Sequence, residues 1–163
     1  MLIRPTTYAD IDAQLAIFAH ARRQMVSDGN PKQWGDGYPS REQLEEDIAR
    51  GVSYVIEQGG LVCATFVFII GDDPTYDIIE DGKWLNNEPY GTIHRIASNG
   101  QLGGIFGIVL DWCRERCTNI RIDTHQENAR MLHLIEKHDF KRCGIIYTRN
   151  HSARVAYQRI EKI

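Results

Sequence analysis

Between Gly91 and Cys117 the chain reads GTIHRIASNGQLGGIFGIVLDWCRERC, a β-forming run followed by a glycine-rich segment and then an amphipathic helical pattern. A strand that enters a helix through a tight glycine turn satisfies all three parts at once. Glycines let the backbone approach an anion closely. The unpaired N–H groups of the first helical turn supply donors, and the helix dipole adds a positive end. The stretch therefore predicts a phosphate-binding strand, turn and helix.

Two common phosphate loops fail on spacing. No Lys-Ser/Thr follows the glycines, as a Walker loop requires, and Gly100, Gly103, Gly104 and Gly107 do not reproduce G-x-G-x-x-G. The pattern that fits is Q/R-x-x-G-x-G/A, read from Gln101 through Gly104 to position 106, where Phe106 departs from the small residue. A second block, Asn128 to Phe140, matches N-x-x-A-x-x-x-Y-E-K-x-G-F at Asn128, Glu136, Lys137 and Phe140, and departs from it at Met131, Ile135 and Asp139. In these two motifs, and in element order over nearly its whole length, the chain resembles the GNAT acyltransferases, which bind acetyl-CoA.

That resemblance implies an α/β (α+β) fold with a mixed, mostly antiparallel central sheet flanked by helices. Its fourth and fifth strands would splay apart to admit the cofactor. It sets the backbone of Ile96, Ala97 and Ser98 against the pantetheine arm and thioester. Gln101, Leu102, Gly103, Gly104, Ile105 and Phe106 would surround the pyrophosphate, with Asn128 beside the arm on the opposite strand. Ile135 stands where many members carry a tyrosine general acid.

The periodicities, read independently, give the order βααβββαβαββ. Leu2 to Pro5 is a short strand, and Thr7 with Asp10 forms a capping box. Ser40 with Gln43 caps a second helix, which Gly51 stops. Ser53 to Gln58 and Leu61 to Ile70 are strands joined by Gly59-Gly60, a two-residue hairpin turn. A polar, acidic segment from Gly71 to Glu88 leads to a strand over Tyr90 to Ala97. After the glycine-turn helix come a strand at Asn119 to Thr124 and a helix at Asn128 to His138. Strands at Phe140 to Tyr147 and Ala153 to Ile160 close the chain. With 163 residues, 42% of them hydrophobic, and no repeat or linker, one domain over 1–163 is expected.

A net charge of −3 gives no general attraction to nucleic acid or to an anionic membrane surface. The N-terminal MLIRPTTYAD lacks the layout of a secretion signal, and no apolar run is long enough to span a bilayer, so a soluble, cytoplasmic protein is expected. A homodimer is left open. Cys63, Cys113, Cys117 and Cys143 read as thiols rather than a disulfide framework, and no metal is expected.

Acetyl transfer to an amine needs a base, donors for the oxyanion and an acid for the thiolate. His94 is the leading base, two residues before Ile96 on the fourth strand, where it shares a face with Thr92. An imidazole near its ordinary pKa of ~6.5 suits proton removal at neutral pH. His125 is the competing base. Tyr147 stands in for the missing acid, and Asp123 reads as a structural ion-pair partner.

Trp34, Tyr38, Tyr76 and Trp84 are the candidate walls for an amine-bearing acceptor, with the acids from Asp72 to Asp81 supplying attraction to a cation. The alternative to an enzyme is a non-catalytic acyl-CoA-binding regulatory module, which Ile135 and Phe106 keep open.

Overall fold

In the computed structural model, which describes residues 1–35 and 37–161, the elements follow the predicted order. Strands β1 (Leu2–Pro5), β2 (Ser53–Gln58), β3 (Leu61–Ile70), β4 (Gly91–Ser98), β5 (Asn119–Thr124), β6 (Lys141–Tyr147) and β7 (Ala153–Ile160) form one sheet in the order β1-β2-β3-β4-β5-β7-β6. Helices α1 (Ile11–Ser27), α2 (Arg41–Ala49), α3 (Ile105–Arg114) and α4 (Ala129–Lys137) flank it. Every neighbouring strand pair is antiparallel except β4 with β5.

Strand alternation sorts β3 between two layers. Ala64, Phe66 and Phe68 join the main core with Val109, Leu110 and Ile135 of α3 and α4. On the other face, Gln14 of α1 donates from Nε2 to Thr65 Oγ1 at 3.0 Å and to Ser53 Oγ at 3.2 Å. The two cap signals are realised. The Thr7 N–H donates to Asp10 Oδ2 at 2.8 Å ahead of a short helical turn that runs into α1, and Ser40 Oγ accepts from the Gln43 N–H at 3.1 Å.

The parallel junction opens almost at once. β4 and β5 pair only at Gly91 with Ile120 and Thr92 with Arg121, and the strands diverge beyond. β4 is also bulged: Thr65 faces Ala97 and Val67 faces His94, so Arg95 and Ile96 together oppose Phe66. Arg95 takes a left-handed backbone at φ 48.

The acidic segment after β3 behaves differently from its expected place over the acceptor side. Only its beginning reaches the splay; the remainder packs on β5, β7 and β6. Tyr76, Tyr90, Ile146 and Ala156 form a third buried cluster, with Ile79 and Trp84 against it. Glu80 and Ile145 exchange backbone hydrogen bonds at 2.9 and 2.8 Å, which covers the edge of β6. The approach requires glycine: a Cβ at Gly82 would stand 1.9 Å from the Cys143 carbonyl oxygen, and one at Gly144 2.3 Å from that of Glu80. The apolar residues scattered among the acids supply the cover that this end of the sheet needs.

Candidate active site

The divergence of β4 and β5 creates a cleft of about 610 Å³. His94 lines it from β4, and Asp72 to Thr75 line it from the turn after β3. His94 Nε2 lies 2.9 Å from Asp73 Oδ2. Burial alone would raise the Asp73 carboxyl, but hydrogen bonds from His94 and from the backbone and hydroxyl of Thr75 outweigh it and bring the group from its ordinary 3.8 down to about 2. The carboxylate is thus an acceptor only, which puts a proton on Nε2 of His94 and leaves the Nδ1 lone pair of the neutral ring free. The Asp73 N–H donates to Tyr90 Oη at 2.8 Å, so both ends of this residue are fixed.

Beside His94, the bulge is tied down by its own side chain. Arg95 donates from Nε and Nη2 to the two oxygens of Asp47 on α2, at 2.9 and 2.8 Å, and from Nη1 to Tyr38 Oη at 3.2 Å. A non-glycine residue in this backbone region costs on the order of 1 kcal/mol or more, and the paired, largely buried guanidinium offsets it. Tyr38 and Trp34 both line the cleft, with the Trp34 ring also packed edge-on to Phe18 at 5.5 Å.

The glycine turn leaves the start of α3 open. Gly104 is its N-cap at φ 69 and provides no capping side chain. A Cβ at Gly103 or Gly104 would meet nothing within 4 Å, so internal packing does not demand glycine at 103. Phe106 turns its ring into the core against Phe140 and His138, at 6.2 and 5.1 Å, so its bulk is directed away from the turn. Leu102 packs against the same core, and Ile105 is buried in it. The start of α3 fits a phosphate-bearing group: its backbone donors are free of a side-chain cap and no Cβ obstructs the approach at Gly103 or Gly104, whereas the Gln101 N–H is already donated to Asn99 Oδ1 at 3.0 Å.

Ile96 and Asn128 line the cleft, while Ala97 is buried against α1 and α2 and Ser98 Oγ accepts from the Gly100 N–H at 3.0 Å. Asn128 also caps α4, accepting from the Met131 N–H at 3.1 Å, and donates from Nδ2 to Gln33 Oε1 at 3.0 Å.

Several expected roles need correction. Tyr147 does not line the cleft; it is 40% exposed and donates to Glu80 Oε2 at 3.1 Å, because β6 is the far edge of the sheet. Tyr76 is no acceptor wall: it is 1% exposed and donates to Asp123 Oδ2 at 2.6 Å. Trp84 lies under the same segment, donating from Nε1 to the Tyr76 carbonyl while the Arg121 guanidinium stacks 4.0 Å from its ring centre.

His125 uses its Nδ1 lone pair to accept from the Glu127 N–H at 3.1 Å, which removes it as the competing base. Ile135 is fully enclosed in the core. Asp123 lies 4.0 Å from Arg154 Nε, in keeping with its expected structural pairing. Among the described residues no group of His, Cys, Asp or Glu could hold a metal, and none of the cysteines forms a disulfide.

Sequence reasoning missed Asp73 as the partner of His94 and Asp47 as the partner of Arg95. Asp73-Pro74-Thr75 does carry the signature of a capped turn, with Asp73 Oδ1 accepting from the Thr75 N–H at 2.9 Å. Its second oxygen was therefore available to a neighbour, though the sequence does not say which.

Neither protein-family models nor curated proteins yield a match to this chain. Solved structures do. A GNAT-family acetyltransferase from Streptococcus agalactiae 2603 is 32% identical, covers 99% of this chain and 96% of its own, and superposes with a TM-score of 0.88. A protein from Staphylococcus aureus MU50 is 26% identical over 99% of this chain and 100% of its own, at a TM-score of 0.72. The fold alone is shared with a chain of the NatC complex bound to Gag peptide and CoA, which is 16% identical over 99% and 98% at a TM-score of 0.55. That likeness makes the chain an acyltransferase by structural class. The chain belongs to the GNAT family of acetyltransferases.

Proposed function

We propose that the protein is an acetyl-CoA-dependent N-acetyltransferase acting on the primary amine of a small molecule, an amino acid derivative or a peptide. The observation that carries the reading is the His94–Asp73 pair at 2.9 Å in the cleft where β4 leaves β5. Bound acetyl-CoA supplies an activated acyl carbonyl for attack by the amine.

In this reading the backbone of Gln101 to Phe106 holds the pyrophosphate, and Ile96 to Ser98 with Asn128 flank the arm. His94 takes the amine proton at Nδ1. Asp73 stays anionic, keeps the ring in the tautomer that exposes that nitrogen, and stabilises the cation that forms. Trp34 and Tyr38 border the acceptor. With Tyr147 outside the cleft and Ile135 in the core, no side chain is assigned as general acid.

Thiol release from acetyl-CoA, measured with purified protein against a panel of amines, tests the reading. Acceptor-dependent release of CoA with N-acetylated product supports it. Binding of acetyl-CoA without release for any acceptor would favour the non-catalytic module.

A further inference from the structure

We propose that the acceptor carries a carboxylate as well as its amine, and that Lys32, Arg149 and Arg154 form the subsite that receives it. The inference rests on the acyltransferase reading above and deepens it. Charges of both signs line the cleft. Asp72, Asp73, His94 and Arg95 come from the turn after β3 and from β4, Glu46 and Arg50 from α2 and its C-terminal end, Asp123 from β5, Arg149 and Arg154 from the β6–β7 hairpin, and Lys32 from the segment between α1 and α2.

Several of these groups are already matched. Asp73 is engaged by His94 and Thr75. Arg95 is engaged by Asp47. The cations beyond the splay are not matched in the same way. Arg154 is 7% exposed, and among the described residues its nearest carboxylate oxygen, on Asp123, is 4.0 Å from Nε, the outer limit of an ion pair. That carboxylate already accepts the Tyr76 hydroxyl at 2.6 Å. The remaining partners of Arg154 among the described residues are neutral: the Gln33 carbonyl at 2.8 Å, the Ala153 carbonyl at 3.3 Å and the Ser152 hydroxyl.

A guanidinium this deeply buried and this weakly compensated favours an incoming anion. Lys32 and Arg149 line the same cleft and have no side-chain partner among the described residues. Burial first and then Arg154 push His125 down, Glu127 opposes them and Lys32 adds to them, so that both cations act on this one ring with a single carboxylate against them.

The hairpin tip is held in shape by its own bonds: the Thr148 N–H donates to the Ser152 carbonyl at 2.9 Å and the Ser152 N–H to Thr148 Oγ1 at 3.1 Å. Arg149 is thereby presented from a fixed turn. An acceptor with ammonium and carboxylate ends answers the His94–Asp73 pair and these cations together. Its amine lies at His94 and its carboxylate at the cations.

The test is calorimetric binding of N-acetylated standard amino acids and of their carboxamides to the protein saturated with CoA, alongside thiol release with the free amino acids and amino-acid amides. The proposal predicts, for at least one pair, tenfold or greater preference for the acid over the amide. Arg149→Gln and Lys32→Gln should bring that preference toward parity.

Equal binding of acid and amide throughout, or binding of neither, overturns it. Preference for the acid without CoA release leaves the carboxylate subsite standing and removes the acyl-transfer reading. CoA release without any preference does the reverse.

Discussion

Asp47, whose side chain is only 1% exposed, receives two hydrogen bonds from Arg95, the residue that bends β4 with a left-handed backbone. The pair joins α2 to the bulge beside His94. Removing only one member leaves a buried charge without its partner, which typically costs about 3 to 5 kcal/mol. Asp47→Ala should therefore lower unfolding free energy by about that amount in denaturant titration. A loss within the scatter of a surface substitution would show that the pair does not hold the bulge.

Gly103 offers a clean probe of the glycine turn, since an added Cβ meets nothing within 4 Å there and its backbone needs no left-handed φ. Gly103→Asp should fold with unchanged stability and weaken CoA binding by roughly tenfold or more, because its carboxylate would face the phosphates. Calorimetry on the folded variant checks this. Unaltered CoA affinity would place the pyrophosphate elsewhere.

The acidic segment after β3 is predicted to be part of the stable fold. Gly82→Ala sets a methyl group 1.9 Å from a backbone oxygen of Cys143. It should destabilise the protein by about 2 kcal/mol or more. An unchanged denaturation midpoint would contradict the docking of this segment on β6.

Asp73 links the site to acid stability. Its carboxyl sits at about 2 in the folded protein against an ordinary 3.8, so the unfolded chain binds more protons between those values. The stabilisation is complete above the higher value and is lost as pH falls through the lower one, with a size of about 2 kcal/mol. Unfolding free energy of the wild type minus that of Asp73→Asn should therefore shrink as pH falls from about 4 to about 2. A difference that stays constant over this window would mean that the His94 contact does not favour the ionised form.

Local rules carried most of the fold. The bounds of β2, β3, β5 and β7 follow from their β-forming runs and glycine or polar breaks, and both helix caps lie where Thr7, Asp10, Ser40 and Gln43 place them. The place of His94 on the strand that leads to the glycine turn was legible, but its parity with Ile96 was not, because the bulge sets Arg95 and Ile96 together opposite Phe66. Partners distant in sequence were not legible either. Asp73 and His94 are 21 residues apart and Asp47 and Arg95 48 apart, and only the assembled sheet brings them together. Tyr76 and Trp84 misled because aromatics among acids suit a ligand wall and a buried cover equally well, and the bare end of the sheet decides between them.

The most direct test of the account is the turnover of His94→Ala with an acceptor identified in the thiol-release panel, measured together with its acetyl-CoA affinity. Loss of one general base should reduce turnover by ~10² to 10⁴ and abolish the acidic limb of the rate profile, while acetyl-CoA binds as before. A folded variant with wild-type turnover and the same acidic limb would contradict the assignment of His94 as the base.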